Sequence, residues 1–201
     1  LGENVTKDFE ILSADLDHIV LINATGTTSK TITVEYKGEE WIMSDFVQDW
    51  TKYVYGTDSL KLKISVTATD SNYFAGGKII DVNTYTVTLT PADNFSWGVG
   101  GAGDNEVTVV ITQKLISGGD ISWSNTDLTY NGQEQKPVAT PVNLFAIDKG
   151  KVGISVTGGQ TDASATSYTA TANEPTDVDG GRARNYKLPD TKPTTEFTIA
   201  K

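Results

Sequence analysis

The chain contains no cysteine, one histidine and one methionine, and no apolar run longer than four residues, as in Ile19-Val20-Leu21-Ile22. Without cysteine there are no disulfides, thiolate metal sites, iron–sulfur clusters or thiol nucleophiles. A helix that crosses a bilayer needs about 20 consecutive apolar residues, so no segment here reads as a membrane-inserted helix. With His18 as the only histidine, a histidine-rich metal site or a Ser-His-Asp relay repeated along the chain is excluded, and His18 reads as an ordinary surface or strand residue. Basic residues are in deficit, 16 against 26 acidic, for a net charge of −10. That balance repels phosphate backbones and anionic lipid and argues against nucleic acid as a partner. Leu1-Gly2-Glu3-Asn4 shows no basic segment leading into an apolar stretch. A cytosolic chain and a piece of a longer secreted parent both fit that start.

What is present is order. The 201 residues allow one large β domain or two of about 100 residues. Lys63-Ile64-Ser65-Val66-Thr67 is echoed by Gly153-Ile154-Ser155-Val156-Thr157, 90 positions on. In the same order, Tyr36-Lys37-Gly38-Glu39-Glu40 matches Tyr130-Asn131-Gly132-Gln133-Glu134, and Tyr85-Thr86-Val87-Thr88 matches Tyr168-Thr169-Ala170-Thr171. Asn94-Phe95 pairs with Asn185-Tyr186, and Val107–Ile111 with Thr195–Ile199. Five anchors in one order define two homologous modules with a boundary near Lys114. Thr6–Ile11 reads as a further copy of the closing strand, so residues 1–12 are expected to be the end of a preceding repeat or an extra strand, followed by modules at 13–114 and 115–201.

Thr31–Tyr36, Leu60–Thr67 and Tyr85–Thr90 alternate apolar with polar residues at period two, the pattern of a half-buried strand. Threonine, valine and isoleucine dominate them, and branched side chains suit a pleated sheet. Gly, Asn and Asp cluster between the runs and supply turns. The expectation is all-β, with strands spaced as in a sandwich. One stretch departs: Ile42, Phe46, Trp50 and Tyr53 recur at helical spacing, predicting a turn or two of amphipathic helix. Pro137 and Pro141 oppose a helix in the matching part of module two.

Module two, with Leu128-Thr129-Tyr130-Asn131-Gly132, Ser167-Tyr168-Thr169-Ala170-Thr171, Asn185-Tyr186-Lys187-Leu188-Pro189 and Phe197-Thr198-Ile199, resembles the bacterial immunoglobulin-like surface repeats, including those called MBG-type, that occur in tandem in large adhesins and cell-wall proteins. Module one keeps the order but departs in detail, with Tyr36-Lys37-Gly38 at the opening and Asn94-Phe95-Ser96-Trp97 at the turn. The resemblance covers about residues 27–201. It implies two tandem immunoglobulin-like β-sandwich modules, outside the cell on a bacterial surface, as a monomeric piece of a longer array. The shared residues look like turn and core positions, so the resemblance implies a spacer or adhesive module and names no ligand.

No nucleophile with its base, paired carboxylates or phosphate loop is legible, so no enzyme is expected. Gly98–Gly103 precedes a β-alternating run and reads as a hairpin loop, since a dinucleotide loop opens a helix. Glu174, Asp177 and Asp179, beside Gly180-Gly181, offer oxygens that could hold calcium but lack the other ligands of an EF-hand loop, and a solvated acidic turn is preferred. No other cofactor is expected. Leu188-Pro189-Asp190-Thr191 starts like a sortase signal, but Lys192 stands where glycine is required, so it reads as the repeat's own turn. The candidate binding face is aromatic: Trp41, Phe46, Trp50, Tyr53 and Tyr55 could stack on a surface glycan or anchor a host or other extracellular protein. Burial of Trp41, Phe46 and Trp50 at one end of the sandwich or at the junction between modules is the competing reading, and the one favoured.

Overall fold

The computed structural model describes residues 14–16, 21–22, 28–47, 50–55, 59–74, 76–93, 95–98, 105–180 and 182–201. The expected strand at 1–12, His18, Asn94 and residues 99–104 of the glycine-rich loop lie outside these. The described chain is all-β, with helix only as short 3₁₀ turns. Among the described residues, no helix is long and apolar enough to cross a membrane.

Ten longer strands carry the architecture: β1 (Thr31–Glu35), β2 (Leu62–Ala68), β3 (Asn83–Pro91), β4 (Asn105–Thr112), β5 (Ile121–Ser124), β6 (Asp127–Thr129), β7 (Val138–Pro141), β8 (Val152–Thr157), β9 (Tyr168–Asp177) and β10 (Thr194–Ala200). One sheet runs β1-β4-β3-β2 and the other β5-β7-β8-β9-β10-β6. The order β1-β4-β3-β2 is therefore repeated by β6-β10-β9-β8. Their edges match as well. Lys30 O accepts from Thr108 N and Tyr36 N donates to Thr112 O; in the second sheet Thr126 O accepts from Thr198 N and Tyr130 N donates to Ala200 O. Both ladders run parallel in sense, as the β6–β10 register shows. Gly38 (φ 74°) and Gly132 (φ 77°) follow at the same place, in the left-handed region that glycine adopts without a Cβ penalty.

Alternation in sequence becomes alternation in burial. On β3, Tyr85, Val87 and Leu89 are fully buried while Thr86, Thr88 and Thr90 face outward, and β4 buries Val107 and Val109 in the same way. On β9 and β10, Ala170, Ala172, Phe197 and Ile199 point inward. β2 and β3 pair antiparallel from Leu62↔Pro91 to Ala68↔Tyr85 without a register slip. β8 and β9 pair antiparallel too, with an irregularity between Ile154 and Val156.

The stretch expected to be an amphipathic helix forms two 3₁₀ turns, Met43–Asp45 and Trp50–Tyr53. Met43 O accepts from both Phe46 N and Val47 N, so one turn closes and does not propagate. Isolated turns this short gain little from helical hydrogen bonding; burial of Met43, Phe46, Val47 and Tyr53 holds them. In the second repeat the proline-flanked stretch is strand β7, followed by a 3₁₀ turn at Ala146–Asp148.

The chain divides into two compact units. The first takes the described residues up to Ile32, Trp41–Ile79 and Thr84–Val110. The second takes Thr33–Glu40, Ile80–Asn83 and Ile111–Lys201, so residues 33–40, 80–83 and 111–114, numbered within the first repeat, are part of it.

Candidate functional site

In the first unit the aromatic residues divide between core and rim. Phe46 and Tyr53 are 2% and 5% exposed and offer nothing to a ligand. Trp41 and Trp50 are half-buried. Trp41 stacks on Phe46 (centroids 5.3 Å apart, 25° between planes), and Trp50 tilts against Tyr53 at 5.9 Å. Each tryptophan therefore spends one ring face on the core. Tyr55 lies on the short strand Val54–Tyr55, and its side chain lies outside the described residues. Beside Trp41, Ile42 is exposed at 52%. Among the described side chains, the platform offers the rims of two indoles.

Glu174 and Asp177 lie on β9 and Asp179 just beyond it, all three exposed. Among the described residues, no group of three or more His, Cys, Asp or Glu could hold a metal ion. Glu174 on β9 accepts from Lys192 Nζ and from the Leu188 backbone N–H (3.1 Å). The Lys192 bond, with the Leu188 amide behind it, holds the Glu174 carboxyl below the ordinary glutamate range. Asp177 Oδ1 accepts from the Ala183 N–H at 2.7 Å. These carboxylates tie the turn at 182–192 back to β9, which is the chemistry of a structural clip. A cleft of about 290 Å³ beside them is walled by Glu174, Arg184, Lys187 and Asp190. Its charges of both signs select no ligand class.

Among the described residues, one fully buried polar group is one that neither spacing nor motif revealed. Asp148, at the end of a 3₁₀ turn in the second unit, is 0% exposed. Its Oδ2 accepts from two phenols, Tyr36 OH at 2.7 Å and Tyr186 OH at 2.8 Å. Each phenol has one proton to give, so each then serves as an acceptor: Tyr36 from Arg182 Nη1 (3.3 Å), Tyr186 from the Phe145 N–H (3.2 Å). Burial first, then the bond to Asp148, raises the Tyr36 hydroxyl far above its ordinary pKa. Burial is also the largest cause of the rise at Tyr186. Both phenols therefore remain donors across the physiological range. Asp148 Oδ1 has no hydrogen-bond partner among the described residues.

A second layer fixes the first. Arg182 Nη2 reaches both carboxylate oxygens of Asp81 at 3.2 Å. Asn185, 0% exposed, donates to Asp81 Oδ1 (2.9 Å) and accepts from Val82 N (2.8 Å). Gln113 Nε2 donates to the carbonyls of Arg184 and Tyr186, both at 3.0 Å. The rings pack edge to face, Tyr36 with Phe145 at 5.6 Å and with Tyr186 at 5.7 Å, a geometry worth about 0.5–1.5 kcal/mol per pair beyond burial. A Cβ at Gly38 would lie 2.6 Å from the Phe145 Cβ. Segments 33–40 and 80–83 are thus locked to the rest of the second unit by a buried carboxylate clasp.

The clasp buries its carboxylate and both phenols almost completely. Its sequence signal was partial: Tyr36 and Asn185-Tyr186 stand out as repeat anchors, while Asp148 belongs to no motif. Comparison of the chain with protein-family models, curated proteins and solved structures finds no match.

Proposed function

We propose that this chain is a non-enzymatic structural segment of a bacterial cell-surface protein, made of two tandem immunoglobulin-like β-sandwich repeats that act as a stiff stalk or spacer outside the cell. The observation that carries this reading is the Tyr36–Asp148–Tyr186 clasp. With the bonds of Asp81 and Val82 to Arg182 and Asn185, it builds segments 33–40 and 80–83, whose neighbouring residues belong to the first unit, into the second. A flexible linker would leave such segments solvated. The repeated strand order β1-β4-β3-β2 and β6-β10-β9-β8 supports the tandem part of the proposal. The outward faces rich in threonine, and the absence of cysteine, fit a module that depends on its core and has no disulfides.

The test exploits that absence. Ser65→Cys on β2 and Ser122→Cys on β5, both at exposed positions, take spin labels without background. Double electron–electron resonance on the full chain should give one narrow distance distribution that broadens in an Asp148→Ala background. A broad distribution in the parent chain overturns the stiff-spacer reading.

A second reading, a glycan- or host-protein-binding module, is favoured by the half-exposed rims of Trp41 and Trp50 and by the exposed Ile42. Saturable binding on a glycan and mucin array, lost in a folded Trp41→Ala, Trp50→Ala variant, would establish it. An empty array would remove the glycan form of it.

A further inference from the structure

The two repeats build the same strand in different company. Lys63-Ile64-Ser65-Val66-Thr67 of β2 and Gly153-Ile154-Ser155-Val156-Thr157 of β8 share four identical residues. They hold the same place in the repeated orders β1-β4-β3-β2 and β6-β10-β9-β8. The second sheet runs on from β8 to β7 and β5, whereas among the described residues the first ends at β2. β7 pairs antiparallel with β8 and sets Ala139 opposite Ile154. There Ile154 is 9% exposed and Val156 is buried, while on β2 Ile64 is 38% exposed and Val66 half-buried. The residues and their inner neighbour strand correspond, so the difference lies on the outer side.

The backbone of β2 is set for a partner there. Thr69 N donates to Thr84 O, and Lys61 O accepts from Ala92 N. These bonds continue the β2–β3 register, so Lys63, Ser65 and Thr67 are the residues of β2 that bond to β3. The N–H and C=O groups of Leu62, Ile64, Val66 and Ala68 therefore point to the outer edge. An edge of seven residues with its amides aligned is a template for another strand.

We infer that β2 pairs antiparallel with β2 of a second copy of this chain, joining two four-stranded sheets across a twofold axis. The self-complementarity of the strand selects a second copy as the occupant. Outward-pointing residues must pair with outward-pointing residues, and a register centred on Ser65 does this over the whole strand. It sets Ile64 opposite Val66, Leu62 opposite Ala68 and Lys63 opposite Thr67. Apolar side chains then meet apolar ones. Lys63, the one charged residue of β2, is ion-paired with Asp93 of its own chain at 3.0 Å and faces a threonine, so no like charges are opposed. Ile64 and Val66 gain from the second copy the cover that a neighbouring strand gives Ile154 and Val156.

Cross-linking tests the register, and the lack of cysteine removes background. Ser65 sits on the axis at a position not hydrogen-bonded to the second copy, where opposed Cα atoms are about 4.5 Å apart, within disulfide reach. Under mild oxidation of the full chain, Ser65→Cys should give a covalent dimer. Thr67→Cys alone should stay monomeric and should cross-link when mixed with Lys63→Cys. Sedimentation velocity of the parent chain, from micromolar to millimolar at physiological salt, should show a coefficient that rises to the dimer value and stops, since a twofold contact closes on itself. Ile64→Lys should weaken the dimer at least about tenfold by burying an amine in the contact. Ile64→Pro removes one outward N–H, leaves the β2–β3 ladder intact, and should act likewise. A parent chain that stays monomeric to millimolar concentration overturns the pairing, as does equal self-cross-linking at positions 65 and 67 or unchanged association in both Ile64 variants. The contact does not depend on the spacer reading. Spin-label distances taken on labelled chain diluted into unlabelled chain report on single chains, so either can fail alone.

Discussion

Removing the two phenol hydroxyls from Asp148, singly and together, should cost more than the sum of its parts. Tyr36→Phe and Tyr186→Phe keep both rings, and with them the edge-to-face contacts at 5.6 and 5.7 Å, so little cavity opens. Each single variant loses one hydrogen bond to a carboxylate, worth about 1.5–3 kcal/mol. In each, the other phenol still holds Oδ2. In the double variant a carboxylate at 0% exposure, whose Oδ1 already lacks a partner among the described residues, has neither of its donors. A stranded buried charge is among the costliest defects a fold can carry. The coupling should therefore be unfavourable by about 1–3 kcal/mol beyond additivity, within the range seen for residues of one network. Urea unfolding of the four proteins, followed by circular dichroism, measures it through the shift in midpoint at constant slope. An additive cycle would refute the reasoning, because it would mean that another group takes over as donor to Asp148.

Other expectations follow from the same geometry. Gly38→Ala should destabilise by more than about 2 kcal/mol, because it adds a clash with Phe145 to the backbone cost of roughly 1–2 kcal/mol at positive φ; Gly132→Ala meets open space and should show the backbone cost alone, so equal effects on melting would contradict the packing argument. Since the Glu174 carboxyl is held below its ordinary value of 4.5, the stabilisation from Lys192 and Leu188 is fully present above that pH and is lost as pH falls through the depressed folded value. The stability gap between the parent chain and Glu174→Gln should thus be constant near neutrality and shrink in acid, as melts across that range would report. Millimolar calcium should leave the melting temperature unchanged, because Glu174 and Asp177 are engaged in hydrogen bonds; a calcium-dependent rise, lost in Asp177→Asn, would restore the metal reading.

The strands were legible because their information is local. Alternation on Tyr85–Thr90 and Val107–Ile111 needs only the two-residue pleat to say which side chains face the core, and those side chains are the buried ones. The turns after Tyr36 and Tyr130 were legible for the same reason, since each places a glycine at positive φ two residues on. The helical spacing of Ile42, Phe46, Trp50 and Tyr53 misled, because the same spacing serves two 3₁₀ turns pinned by burial of Phe46 and Tyr53. Of the five candidate platform rings, spacing could not separate Phe46 in the core from Trp41 at its rim.

By itself, then, the amino-acid sequence determined an acidic, cysteine-free, all-β chain with a twofold internal repeat and no helical membrane span, all of them properties of composition and short-range periodicity. Only the tertiary structure decided that Tyr36 is buried while its counterpart Tyr130 is exposed. Only there does Asp148 become the acceptor of two phenols, 112 and 38 residues away along the chain. The physical reason is that burial of a polar group depends on which distant donors converge on it. A hydroxyl or carboxylate carries no local mark of the partner that makes its burial affordable.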